Sequence, residues 1–151
     1  MNELMVMTQI AGRRCALPAH DVKSVIELST ITPVPQTPEF IAGITAMRSQ
    51  ALTVIDCRLT LGFEQTDWET DNRAAVISIG GHFYALLIDA IEDITTTTGE
   101  PGQVSGGFGP EWSRVAKGMI ETASGPALLI DLHALIAGPD ERLTGSLNAA
   151  A

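Results

Sequence analysis

An internal duplication constrains this chain more than any other feature. The stretch Gly43 to Leu61, GITAMRSQALTVIDCRLTL, returns in degraded form from Gly118 to Ile136 as GMIETASGPALLIDLHALI. An ungapped offset of 75 residues superposes Gly43 on Gly118, Val54 on Leu129, Ile55 on Ile130 and Asp56 on Asp131. In each copy a glycine opens a strand, a polar turn reverses it (Ser49 and Gln50, or Ser124 to Pro126), and an apolar run ends at an aspartate. An acid there can accept hydrogen bonds from the first free N–H groups of a following helical turn, so Asp56 and Asp131 read as N-caps. A second similarity precedes each copy: Cys15 to Leu17 with Val22 and Val25 match Tyr84 to Leu86 with Ile91 and Ile94 at an offset of 69. The order of both blocks is kept, so the chain divides into two similar halves, about 4–62 and 74–137, with strand exchange between them left open, followed by a flexible tail at 138–151.

A chain of 151 residues can bury roughly two-thirds of its unfolded surface. Short apolar runs among 14 Gly and 8 Pro favour strands and turns over long helices. The net charge of -9 repels a phosphate backbone, which argues against nucleic acid as a partner. No uncharged apolar stretch reaches bilayer length, so direct membrane insertion is not expected. The start, MNELMVMTQIAG, has no basic segment ahead of its apolar residues and is not read as a signal peptide. Cys15 and Cys57 sit in apolar patterns and read as small core residues of a reducing cytoplasm rather than as a disulfide.

Read in order, Leu4 to Ile10 and Arg14 to Leu17 form a hairpin bent at Ala11 and Gly12, and Pro18 ends its second strand. Val22 to Leu28 is a strand with Val22, Ser24 and Ile26 on one face and Lys23, Val25 and Glu27 on the other. Three prolines stiffen residues 31–38, and Thr37 to Ile41 is expected to make one helical turn capped by Thr37. The Gly43 to Ile55 hairpin leads into a short helix from Cys57 to Leu61, stopped by Gly62. The polar span from Phe63 to Arg73 is a crossover in which Trp68 covers an apolar edge or is exposed for recognition. Beyond it, Ala74 to Ile79, His82 to Ile88, Ile91 to Thr98, Val115 to Ile120 and Ala127 to Ile130 read as strands. Residues 99–113 read as a glycine-rich loop and Leu132 to Ile136 as the last helix. About ten short strands with no intervening long helices imply an all-β fold of two packed five-stranded barrel subdomains, SH3-like, with short helices.

Little in the chain points to chemistry. His20, His82 and His133 are isolated and neither cysteine belongs to a CxxC pair, so no metal is expected. Gly106, Gly107 and Gly109 lack the following Lys-Ser or Lys-Thr of a phosphate loop, and Ser105 misses the nucleophile-elbow pattern. Asp56, Glu92, Asp93 and Asp131 do not form an evident acid–base pair. The sequence therefore predicts no catalytic residue and no cofactor, and binding becomes the better class of explanation. Arg48, at a hairpin turn in an apolar block, is the sharpest single candidate, because its guanidinium fork makes several directed hydrogen bonds and covers apolar surface.

Residues 31–58 resemble the CheW-like family of bacterial chemotaxis coupling proteins, and the resemblance extends over roughly residues 4–137. It is carried by CALPAHDVKSVIEL at 15–28, TPEFIAG at 37–43, VID at 54–56, and later by YALLIDAIEDI, GMI and ALLIDL. The resemblance implies two intertwined five-stranded barrels in a cytoplasmic adapter at membrane-associated chemoreceptor arrays. Such an adapter joins the cytoplasmic tips of methyl-accepting chemoreceptors to the regulatory domain of the histidine kinase CheA. The family's Arg-Gly turn falls on Arg48 and Ser49, its preceding Asn and Leu on Ala46 and Met47, its strand proline on Thr53, and its Leu before Arg58 on Cys57. Carried over in this way, the receptor-facing positions are Val25, Glu27, Ile44, Met47, Arg48 and Arg58. The kinase-facing ones, in the second barrel, are Val76, Ile77, Tyr84 and Leu86. A divergent homologue that binds kinase or receptor without activating the kinase is the alternative, motivated by Ala46, Met47 and Ser49. A small-ligand or enzymatic barrel near Ser105 is the third reading.

Overall fold

The computed structural model describes residues 3–67, 72–102 and 109–138. Ten strands run in chain order: β1 Leu4–Ile10, β2 Arg13–Pro18, β3 Val22–Glu27, β4 Ile41–Met47, β5 Gln50–Asp56, β6 Arg73–Ile79, β7 His82–Leu87, β8 Ala90–Gly102, β9 Ala116–Thr122 and β10 Gly125–Ile130. Three short helices accompany them, α1 Cys57–Thr60, α2 Pro110–Val115 and α3 Leu132–Ala137. The strands make two five-stranded sheets, and the fold is all-β as expected.

The sheets do not follow the two sequence halves. β1 and β2 join β10, β9 and β8 in a closed barrel, while the other sheet has the order β3-β6-β7-β5-β4. Each sheet thus takes a hairpin from one half and three strands from the other. Starting the barrel at β8 gives β8-β1-β2-β10-β9, which matches the second sheet strand for strand under the two sequence offsets. Even the parallel contacts correspond, β2 with β10 and β5 with β7. Sequence similarity shows which strands are alike but not which ones pair, so the halves 4–62 and 74–137 are repeats and not subdomains.

The two closures differ. β8 pairs with β9 through Thr97 and Thr122, Thr98 and Glu121, and Gly102 and Met119. In the second sheet only the chain beyond β3 reaches β4, where Thr32 and Ile44 exchange both backbone hydrogen bonds at 2.9 Å. Gly43 and Gly118 mark these crossings. A Cβ on Gly43 would lie 2.3 Å from the Thr32 carbonyl oxygen, and one on Gly118 would lie 2.6 Å from that of Gly102. The glycine that opens each repeat is therefore required by another stretch of backbone passing over it.

Alternation along the strands fills three apolar clusters. Met5, Met7, Ala16, Ile120 and Ala127 pack inside the first barrel, and Leu52, Val54, Ala74, Val76, Ala85 and Leu87 inside the second. The largest cluster lies between them, where Val6, Ile10, Cys15 and Leu17 meet Ile55, Ala75, Ile77 and Leu86 together with Trp112 and Leu132. Strands buried on both faces explain unbroken runs such as AVISI and ALLI. Each fully buried large side chain contributes about 1.5–3 kcal/mol.

Several local expectations change. No helix forms at Thr37, whose hydroxyl donates back to the Val34 carbonyl at 2.8 Å; Gln36 takes a positive φ of 65°, and Pro38 to Ile41 make a turn. The reversal in the first repeat is at Arg48 and Ser49, since Gln50 already pairs with Met47. The expected loop at 99–113 is partly structured: β8 runs on to Gly102, and Pro110 starts α2, which takes in Val115. A proline at the first helical position has the right φ and lacks only a donor the helix would not use. Trp68, Ser105 and the tail from 139 onward lie outside the described residues.

Candidate interaction surface

The aspartates that close the repeats are structural. Asp56 is 1% exposed; its Oδ1 accepts from Arg58 N at 3.1 Å, Leu59 N at 3.3 Å and Thr66 Oγ1 at 2.6 Å, and its Oδ2 from Thr66 N at 2.9 Å. Asp131 accepts from Ala134 N at 3.2 Å. Both cap helices, and Asp56 also ties the crossover to α1. Among the other acids, Glu92 pairs with Arg14 at 3.5 Å and Asp93 accepts from Ser124 Oγ at 3.2 Å. No group of three or more potential metal ligands occurs among the described residues, and none of their helices is long and apolar enough to cross a membrane.

Both cysteines are free and buried. Burial, the larger cause, pushes the Cys15 thiol up to about 12 against hydrogen bonding with the Ile10 backbone and the nearby Arg13 charge. Desolvation, with Asp56 close by, also raises Cys57. Neutral thiols inside an apolar cluster are poor nucleophiles.

The receptor-facing positions mostly lie on the two strands bordering the incomplete closure. β3 alternates as read from sequence, with Lys23, Val25 and Glu27 exposed. Val25 is 45% and Ile44 42% exposed, large values for apolar side chains. Met47 is half-buried against the core of its own sheet. Arg48 is exposed at the tip of a two-residue turn with φ of 58°, while Ser49 keeps a negative φ, the sign pattern of a type II′ turn. Glycine is preferred there, so arginine carries about 1 kcal/mol of backbone strain. Arg58 lies apart from this group. Its Nη1 is 3.0 Å from Asp89 Oδ2 and its Nε donates to the Glu64 carbonyl at 3.1 Å. Because Asp89 Oδ2 also accepts from Gly12 N at 3.1 Å, Arg58 helps clasp α1 to the β1–β2 turn of the first barrel.

The kinase-facing set needs correction. Val76, Ile77 and Leu86 are fully buried, Val76 inside the second barrel and the other two in the central cluster. They present no surface to a partner. Nor do β6 and β7 form a separate barrel from β3 to β5, since all five strands belong to one sheet. Tyr84 alone retains partial exposure, and its register places it opposite Thr53, itself opposite Ile44. Ile44, Thr53 and Tyr84 therefore make one row across a single face.

Three exposed apolar residues escaped selection from the sequence: Ile94, 64% exposed, Leu4, 54% exposed, and Phe63, 40% exposed. The signal was present, because the 69-residue offset equates Val25 with Ile94. Val25 stands opposite Ala75 and Ile94 opposite Val6, both central-cluster residues. Leu4 is the diagonal neighbour of Ile94 across the β1–β8 ladder. Equivalent strands of the two barrels thus each set an apolar side chain at the rim of the shared core.

The geometry is that of two packed five-stranded sheets, one closed into a barrel, with exposed apolar side chains at their rims and an arginine at a hairpin tip. The CheW-like domain family profile matches residues 4–140, so the chain belongs to that family of chemotaxis coupling and scaffold proteins. It is 29% identical over 119 residues to a probable chemotaxis protein CheW of Rhizobium etli, covering 76% of this chain and 77% of that one. Against the chemotaxis protein CheW of Rhizobium meliloti it is 22% identical over 115 residues, with 76% and 74% covered. The crystal structure of the scaffolding protein TtCheW from Thermoanaerobacter tengcongensis superposes with a TM-score of 0.75 at 27% identity, covering 89% of this chain and 88% of that one.

Proposed function

We propose that this protein is a non-enzymatic, cytoplasmic adapter coupling chemoreceptor tips to the regulatory domain of a CheA-type histidine kinase. Family membership supports the class, and the exposure of Val25 on β3, Ile44 on β4 and Arg48 at the turn after β4 is the observation that carries the assignment of a binding face. Val25, Glu27, Ile44 and Arg48 contact the receptor, and Met47 buttresses the hairpin from beneath. Arg58 acts through the clasp with Asp89 and not by direct contact. Tyr84 is the one member of the kinase-facing set with surface to offer; Val76, Ile77 and Leu86 support it from the core. Signal passes when receptor states differ in their contacts with this face, because an equal affinity for both states would recruit the kinase without regulating it.

Binding of the purified chain to a CheA regulatory domain and to receptor tips, followed by kinase assays in a reconstituted array, tests the reading. Binding to both with receptor-controlled kinase activity supports it. Binding to either without kinase activation would instead identify a diverting homologue, for which Ala46, Met47 and Ser49 at the hairpin are the distinguishing residues. Absence of binding to either component sinks both readings.

A further inference from the structure

A second recognition point lies away from the β3–β4 rim, where α1, the crossover and the turn before β4 enclose an open cavity of about 740 Å³. Its wall includes Glu39, Arg58, Leu59, Phe63 and Glu64. Phe63 is 40% exposed, although its ring is held in a tilted contact with Trp112 at 6.3 Å between centroids. One edge of the ring is thus anchored by the core and the rest is left to solvent. Glu39 and Glu64 are exposed, and their carboxylates form no ion pair with any described residue. Arg58 is the cationic group in the wall, but its charge is already matched by Asp89. The cavity therefore combines two uncompensated negative charges with a fixed aromatic surface.

We propose that this cavity receives an arginine side chain of a partner protein. A guanidinium is planar, stacks on an aromatic face and forks its donors toward carboxylates, so it can use Phe63, Glu39 and Glu64 together. Lysine offers a more strongly hydrated point charge and gains less from the ring. The chain's net charge of -9 draws a basic segment toward this face and speeds encounter. Nothing in this proposal depends on the partner being a kinase or a receptor.

The test is an NMR titration of the full chain with N-acetyl-arginine amide, with the lysine and citrulline analogues as controls. Backbone amides of Gly62, Phe63, Glu64 and Gln65 should shift with the arginine probe, and the uncharged citrulline analogue should bind at least about tenfold more weakly. The double substitution Glu39→Gln with Glu64→Gln, and separately Phe63→Leu, should each weaken binding about fivefold or more while the rest of the amide spectrum stays unchanged. Equal titration by arginine and citrulline, or undiminished binding by both variants, would overturn the proposal. Because the probe is a small molecule, that outcome would leave the adapter reading to be judged by its own binding assays.

Discussion

The two repeats share strand order, turns and closing aspartates, yet they end in different states. The repeat that finishes at Asp131 contributes β8 to β10, which close a barrel by direct strand pairing. The repeat that finishes at Asp56 contributes β3 to β5, where β3 stops at Glu27 and, among the described residues, the seam to β4 is made by the Thr32–Ile44 bridge and by the Thr45 hydroxyl donating to the Thr30 carbonyl at 2.8 Å. Ala46 corresponds to Glu121, but Glu121 pairs with Thr98 whereas Ala46 has no partner on that side among the described residues. One copy of the repeat belongs to a closed barrel and the other borders an open edge on the strands that carry Val25 and Ile44. The proposed receptor contacts, carried over from the family resemblance, fall mostly on the incomplete copy, and an open seam leaves backbone groups that a partner could use.

The largest effects should come from the crossing glycines. Gly43→Val and Gly118→Val each put a side chain inside a neighbouring backbone, and chemical denaturation should show losses of about 3 kcal/mol or more for both. If either were tolerated, the shared crossing geometry would not be what the repeat preserves. Next, Asp56→Ala should cost about 3 kcal/mol and Asp131→Ala about 1 kcal/mol, since the first leaves a helix end and Thr66 unsatisfied and the second only a helix end. Equal losses would remove the special role given to the Asp56 clamp.

A stability curve against pH sharpens the comparison at the central cluster. The Cys15 thiol is raised in the folded state from 9.0 to about 12, so above pH 9 the unfolded chain loses protons that the folded chain keeps. Stability is fully present below pH 9 and falls as pH rises toward 12, by about 1.4 kcal/mol per unit per thiol. Cys15→Ala should flatten that fall, as read by urea midpoints at each pH. Smaller still, Arg48→Gly relieves the positive φ and should leave stability equal or raise it by up to about 1 kcal/mol. The same substitution should weaken receptor binding, a division that a merely structural arginine would not produce. Finally, the amide of Ala46 should exchange with solvent faster than those of Glu121 and Ala123, the latter donating to the Thr96 carbonyl at 3.3 Å; comparable protection would mean that the seam is closed.

Much of the fold was legible because strands declare themselves by alternation and turns by their residues. The bounds of β1, the faces of β3 and the caps at Asp56 and Asp131 follow from local chemistry. The Thr37 turn was misread because a threonine hydroxyl can bond backward to Val34 as readily as forward to a helix end. The continuation of β8 through Thr98 to Gly102 was hidden because glycine and proline usually mark loops, whereas here they sit at the crossing over Gly118. The site was legible only in part. Val25, Glu27, Ile44 and Arg48 were selected correctly as surface positions, but Val76, Ile77 and Leu86 were not, since a strand between two barrels buries both faces.

By itself the sequence determined the ten strands, the duplication, the two capping aspartates and the family resemblance, because these depend on neighbours a few residues away or on matching one segment with another. Tertiary structure alone decided that hairpins are exchanged between the repeats, that Arg58 is committed to Asp89, and that one barrel is sealed while the other is not. Those outcomes rest on contacts between residues far apart in the chain, and two repeats with nearly the same local preferences can satisfy them in more than one arrangement.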